Sequence, residues 1–67
     1  MNITYIYTGI TNNITVVYDE PTLCSNIVGT LKQGTQLRIY KEVVNLDEQF
    51  SFKVIKYNGK WGNFAVK

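Results

Sequence analysis

Period-two alternation is the feature that most limits what this chain can become. Gln36-Leu37-Arg38-Ile39-Tyr40-Lys41-Glu42-Val43 alternates cleanly, placing Leu37, Ile39 and Val43 on one face of an extended strand. Comparable runs cover Ile3–Thr8, Ile14–Tyr18, Ile27–Leu31, Phe50–Tyr57 and Lys60–Val66. They are rich in Ile, Val, Thr, Tyr and Phe, the side chains that suit a pleated, half-buried surface. No segment carries a helical stripe. Turn chemistry separates the runs: Gly9 with Thr11-Asn12-Asn13, Asp19-Glu20-Pro21, Lys32-Gln33-Gly34-Thr35, the polar stretch from Asn45 to Glu48, and Asn58-Gly59. Pro21, the only proline, cannot donate to a ladder, so residues 19–26 read as an irregular loop. Asn58-Gly59 is a strong two-residue hairpin signal, because both positions tolerate positive φ.

Two local features sharpen this reading. Gly29 inside the third run predicts a kink or a close backbone approach. In 50–57 the apolar phase runs 50, 52, 54 and then shifts to 55 and 57, which predicts a β-bulge or sharp bend. Val16, Ile27, Leu31, Leu37, Ile39, Ile55 and Phe64 are the expected core, and Phe52 and Tyr40 read as packing residues. At 67 residues the chain makes one domain, 1–67, with a small core and marginal stability. Six short, evenly spaced strands predict an all-β fold: a small barrel of five to six antiparallel strands, since closure removes exposed edges.

The composition removes several kinds of chemistry. There is no histidine, and Cys24 is the only cysteine. A Cys–His dyad, a Ser–His pair, a histidine metal site and an internal disulfide are therefore excluded within the chain. No enzymatic activity, cofactor or metal is expected. Seven basic and five acidic residues give a net charge of +2. Without a dense basic face, nucleic acid is not an expected partner. Asp19 and Glu20 fall early, while Lys53, Lys56, Lys60 and Lys67 gather late; solvated strand edges account for that, with lysine discouraging edge pairing. No signal peptide or membrane-spanning run is present, so no membrane association is expected. The expected location is cytoplasmic for the chain as written, and the cell wall for a module of a longer exported protein. The Asn-x-Thr triplets Asn2-Ile3-Thr4 and Asn13-Ile14-Thr15 then reflect only the abundance of Asn and Thr.

Val28-Gly29-Thr30-Leu31-Lys32-Gln33-Gly34-Thr35-Gln36-Leu37 and Phe52-Lys53-Val54-Ile55-Lys56-Tyr57-Asn58-Gly59-Lys60-Trp61-Gly62-Asn63-Phe64 follow a familiar order, with Val17-Tyr18-Asp19-Glu20-Pro21 upstream. Together they resemble bacterial SH3 (SH3b) domains. In that family an apolar-Gly-x-Leu strand leads into a Lys-x-Gly-Thr turn, and a closing hairpin turns on Asn-Gly-Lys. The resemblance spans about residues 14–67 and implies an SH3-like barrel that binds rather than catalyses. Many such domains hold cell-wall hydrolases on peptidoglycan peptides, and others bind proteins. The chain departs from the pattern at Phe52, where the family often has Trp, and at Tyr18, near a usual Arg. Asn63 replaces the aromatic after Gly62, and Trp61 precedes that glycine. The ligand surface implied by the family is thus altered or moved.

The candidate ligand-binding residues are Tyr18, Asp19, Glu20 and Trp61, in a groove between the 18–26 loop and the start of the last strand. Loops held by a rigid sheet concentrate function, and Trp is the side chain most enriched at binding hot spots. Gly59 and Gly62 leave room beside Trp61 for a ligand backbone. Asp19 and Glu20 suit a cationic ligand group, or are a solvated loop. Trp61 lines the groove, or caps the barrel. Cys24 packs in the loop, or is a reactive thiol without a histidine to activate it. The expected partner is a peptide, a peptidoglycan fragment or a partner protein. The second class of reading is a free-standing intracellular adaptor or inhibitor, as small phage or mobile-element products often are.

Overall fold

Extended runs this short gain little alone, so the fold is decided by how they pair. In the computed structural model, which describes residues 4–66, seven strands form two antiparallel sheets. Ile3 of the first run, Asn2 of the first Asn-x-Thr triplet and Lys67 lie outside the described residues. The strands are β1 (Tyr7–Ile10), β2 (Thr15–Tyr18), β3 (Ile27–Leu31), β4 (Gln36–Ile39), β5 (Lys41–Asn45), β6 (Phe50–Tyr57) and β7 (Lys60–Val66). β1 and β4 make a two-stranded sheet, and the others pair in the order β3-β2-β7-β6-β5. The all-β expectation holds. The ladder does not close into a barrel, and the strand count is seven because the run 36–43 divides at Tyr40. There the chain leaves β1 and joins β6, with the Tyr40 N–H donating to the Val54 carbonyl at 2.9 Å. No helix among the described residues is long and apolar enough to cross a membrane.

Residues directly opposite in an antiparallel ladder share a face, and the registers therefore sort the larger sheet into two sides. Val17, Gly29, Ile55, Gly62, Tyr57 and Phe64 fall on one, which we call the inner face. Val17 and Ile55 join Ile39 of the smaller sheet in a closed cluster, edged by Tyr7, Leu31, Leu37, Tyr57 and Phe64. The opposite, outer face carries Tyr18, Val43, Phe52, Val54, Trp61 and Asn63.

Four sequence expectations change. Val17, not Val16, points inward, and Ile27 is 62 % exposed at the edge of the sheet, where no strand covers it. β6 has no bulge: its register with both neighbours is continuous. Its apolar phase shifts because both faces are covered, Phe52 on the outer side and Ile55 on the inner, each at most 1 % exposed. The irregularity lies instead between Val17 and Tyr18 opposite β3. The first strand is Tyr7–Ile10 and runs through Gly9, which pairs with Leu37 instead of breaking the strand.

Two glycines behave as read. At Asn58-Gly59 both residues have positive φ, 51° and 79°, as a tight β6–β7 hairpin demands. Gly29 is a close approach: a Cβ there would overlap the Tyr57 ring and hydroxyl, so the missing side chain lets Tyr57 lie against β3.

Candidate functional site

The 19–26 segment is irregular yet firmly held. The Asp19 N–H donates to the Asn26 carbonyl at 2.9 Å, and the Glu20 N–H to Ser25 Oγ at 3.1 Å. Glu48, in the turn after β5, reaches across to clamp the tip. Its carboxylate accepts from Thr22 Oγ1 at 2.6 Å, the Leu23 N–H at 2.8 Å and Cys24 Sγ at 3.6 Å. The Thr22 hydroxyl, then the Leu23 N–H, hold the Glu48 carboxyl below the ordinary glutamate range; partial burial opposes them and the Cys24 contact adds to them. Asn45 fixes the middle of the loop by donating to the Pro21 carbonyl at 3.1 Å, and its Oδ1 accepts the Glu48 N–H at 3.1 Å. Asn63 fixes the base, its Nδ2 donating to the carbonyls of Tyr18 at 3.4 Å and Asp19 at 3.1 Å. Three side chains from β5, the following turn and β7 thus tie the loop across the outer face.

The loop leaves a cleft of about 470 Å³ beside it. Asp19, Glu20 and Pro21 form its loop wall, Lys41 and Val43 of β5 the opposite wall, and Val54 and Asn63 lie between. Tyr40 and Trp61 close one end as an edge-to-face pair, with centroids 5.4 Å apart and planes at 71°. Lys56 holds its ammonium 4.0 Å from the centroid of the Trp61 ring, and Trp61 remains 40 % exposed. A second hollow of about 320 Å³ flanks Trp61, shared with Asp19, Val28 and Tyr57. Trp61 is therefore a ridge between two hollows, and Asp19 borders both.

Three of the four expected residues, Asp19, Glu20 and Trp61, meet at this cleft. Tyr18 does not line it: its ring stands edge-on to Phe52, with centroids 6.4 Å apart, and helps bury that side chain. Gly62 does not border it either. It faces inward, where a Cβ would strike Val17. Sequence reasoning placed Tyr40 in packing and passed over Lys41, Pro21 and Asn63 as lining. The split of 36–43 at Tyr40 puts Lys41 and Val43 on the outer face. Cys24 is exposed and free. Among the described residues no cluster of acids and cysteines has metal-ligating geometry. No family model, curated protein or solved structure matches the chain.

Proposed function

We propose that the chain is a non-catalytic binding module that takes an extended peptide along the outer-face cleft. One observation carries this reading: an exposed tryptophan separates two hollows beside a loop already tied in place. An extended chain sends successive side chains to opposite sides, so two hollows flanking a ridge suit a peptide lying across Trp61. Tyr40, Pro21, Val43 and Val54 supply apolar contact, while the acids on one wall and Lys41 on the other supply polarity. Clamping by Glu48, Asn45 and Asn63 lowers the ordering cost that a loose loop imposes on binding.

The motif resemblance to SH3b domains supports the same reading and points to the peptides of peptidoglycan as one source of ligand. A segment of a partner protein is the other. The test is a titration of the intact chain with soluble peptidoglycan fragments, followed by capture from a host lysate, with Trp61 fluorescence as the reporter. A saturable fluorescence change supports the cleft. Capture of a partner that leaves Trp61 fluorescence unchanged places the binding surface elsewhere.

A further inference from the structure

Tyr40 borders another hollow besides the cleft, and the two differ in charge; what this implies for the ligand rests on the binding reading above. The hollow is about 260 Å³, lined by Gln36, Leu37 and Arg38 of β4, by Tyr40, and by Ile55 and Lys56 of β6. Strand alternation brings its two cations there. On β4, Leu37 and Ile39 turn toward the closed cluster, so Arg38 between them turns away from it. On β6, Lys56 is the ladder partner of Trp61 and shares the outer face with it.

Aromatic rings then hold the charged heads. The Arg38 guanidinium carbon lies 5.1 Å from the centroid of the Tyr5 ring, and the Lys56 ammonium 4.0 Å from that of Trp61. Tyr5 and Trp61 both meet Tyr40 edge to face, with centroids 6.3 and 5.4 Å away. Tyr40 is thus the middle of three rings that carry a cation at each end. None of the residues lining the hollow is acidic. Asp19 and Glu20 line the cleft and not this hollow. The two positive charges are therefore not offset where they meet, and a recess lined by one sign of charge draws in the other. Gln36 adds a carboxamide that can donate. A ligand that crosses Tyr40 passes from a cleft of mixed charge to a cationic recess.

We propose that this hollow is an anion subsite, in which Arg38 and Lys56 receive a carboxylate of the bound peptide, from an acidic side chain or from its C-terminus. The guanidinium fork matches the two oxygens of a carboxylate, and Lys56 adds a second positive charge.

Three acetylated peptides test this: Ala-Ala-Glu-Ala-Ala amide, Ala-Ala-Gln-Ala-Ala amide, and Ala-Ala-Gln-Ala-Ala with a free C-terminus. The glutamine amide keeps the shape and carries no charge. Each is titrated to millimolar concentration into the isotopically labelled intact chain at mildly acidic pH, where carboxylates stay ionised. The Trp61 indole and the Arg38 Nε–H are followed by NMR. We expect all three to move the indole. At least one carboxylate peptide should also move the Arg38 signal and bind roughly fivefold more tightly than the glutamine amide, as one exposed ion pair implies. Which of the two does so identifies the source of the carboxylate. Arg38→Gln with Lys56→Gln should bring that ratio to one. The preference should also fade in molar salt, a check that needs no variant. Equal binding of all three peptides, each moving the indole, overturns the anion subsite and leaves the cleft standing. A carboxylate preference that survives the double substitution arises elsewhere and overturns the subsite too. An indole signal that no peptide moves overturns both.

Discussion

The two faces of the five-stranded sheet use similar side chains for different ends. On the inner face Val17, Ile39 and Ile55 close into a cluster with at most 2 % of any of them exposed. That side is fitted so tightly that Gly29 and Gly62 carry no side chain where Tyr57 and Val17 press against them. The outer face is equally apolar at Phe52, Val43 and Val54, but its cover is a tied loop in place of a second sheet. A sheet covers a face evenly. A loop covers it in part, and the uncovered part becomes a cleft with aromatic and charged walls. The same strand, β6, contributes to both: Ile55 is core and its neighbour Val54 lines the cleft.

Neighbouring substitutions on β6 should separate the faces most strongly. Ile55→Ala leaves a cavity in the closed cluster and should cost about 2–5 kcal/mol, enough to unfold much of a domain this small. Val54→Ala, one residue away, should cost about 1 kcal/mol, because the side chain is only half buried. Chemical denaturation of the two variants checks this, and equal losses would erase the distinction between the faces. Gly29→Ala comes next. Its new methyl group meets the Tyr57 ring and should cost about 1–3 kcal/mol, the range of an overpacked core. Tyr57→Phe in the same chain should return part of that loss, since the hydroxyl is the nearest obstacle.

A smaller effect is expected at the clamp. The Glu48 carboxyl is held below its ordinary range in the folded chain, so its contribution is present above the ordinary glutamate pKa, about 4.3, and is lost as the pH falls through the depressed value. The protection factor of the Leu23 N–H, its exchange rate relative to an unprotected amide at the same pH, should therefore fall on acidification into that range, while core amides on β6 stay protected. Glu48→Gln should remove the pH dependence. Global unfolding at the same pH, with loop and core exchanging together, would mean that the clamp is not a local element.

Much of this arrangement could be read from residue order. The Asn58-Gly59 turn, the packing demand at Gly29, and the inward Leu37, Ile39 and Ile55 follow from local chemistry and period. The faces were harder to read. Val16 and Val17 are adjacent and equally apolar, so periodicity alone could not say which turns inward. The phase shift in 50–57 had two physical causes, a bulge or burial on both sides, and only the loop packed over Phe52 decides between them. Asp19, Glu20 and Trp61 were legible as a cleft because charge and a lone tryptophan stand out in sequence. Asn63 and Lys41 were not, since their places depend on which strands lie side by side. Glu48 reaches residues 22–24 from a distant turn, a contact that no local pattern encodes.

Trp61→Ala bears most directly on the division of labour between the two faces. The side chain is 40 % exposed and rests on Tyr40 and under Lys56, so its removal should lower stability by only about 1–2 kcal/mol. Thermal unfolding and binding, to peptidoglycan fragments first and then to lysate proteins, are measured on the same preparation. We expect a folded, cooperative protein that has lost binding. A variant that unfolds like Ile55→Ala, or one that folds and binds as the parent does, would contradict the outer face as the working surface.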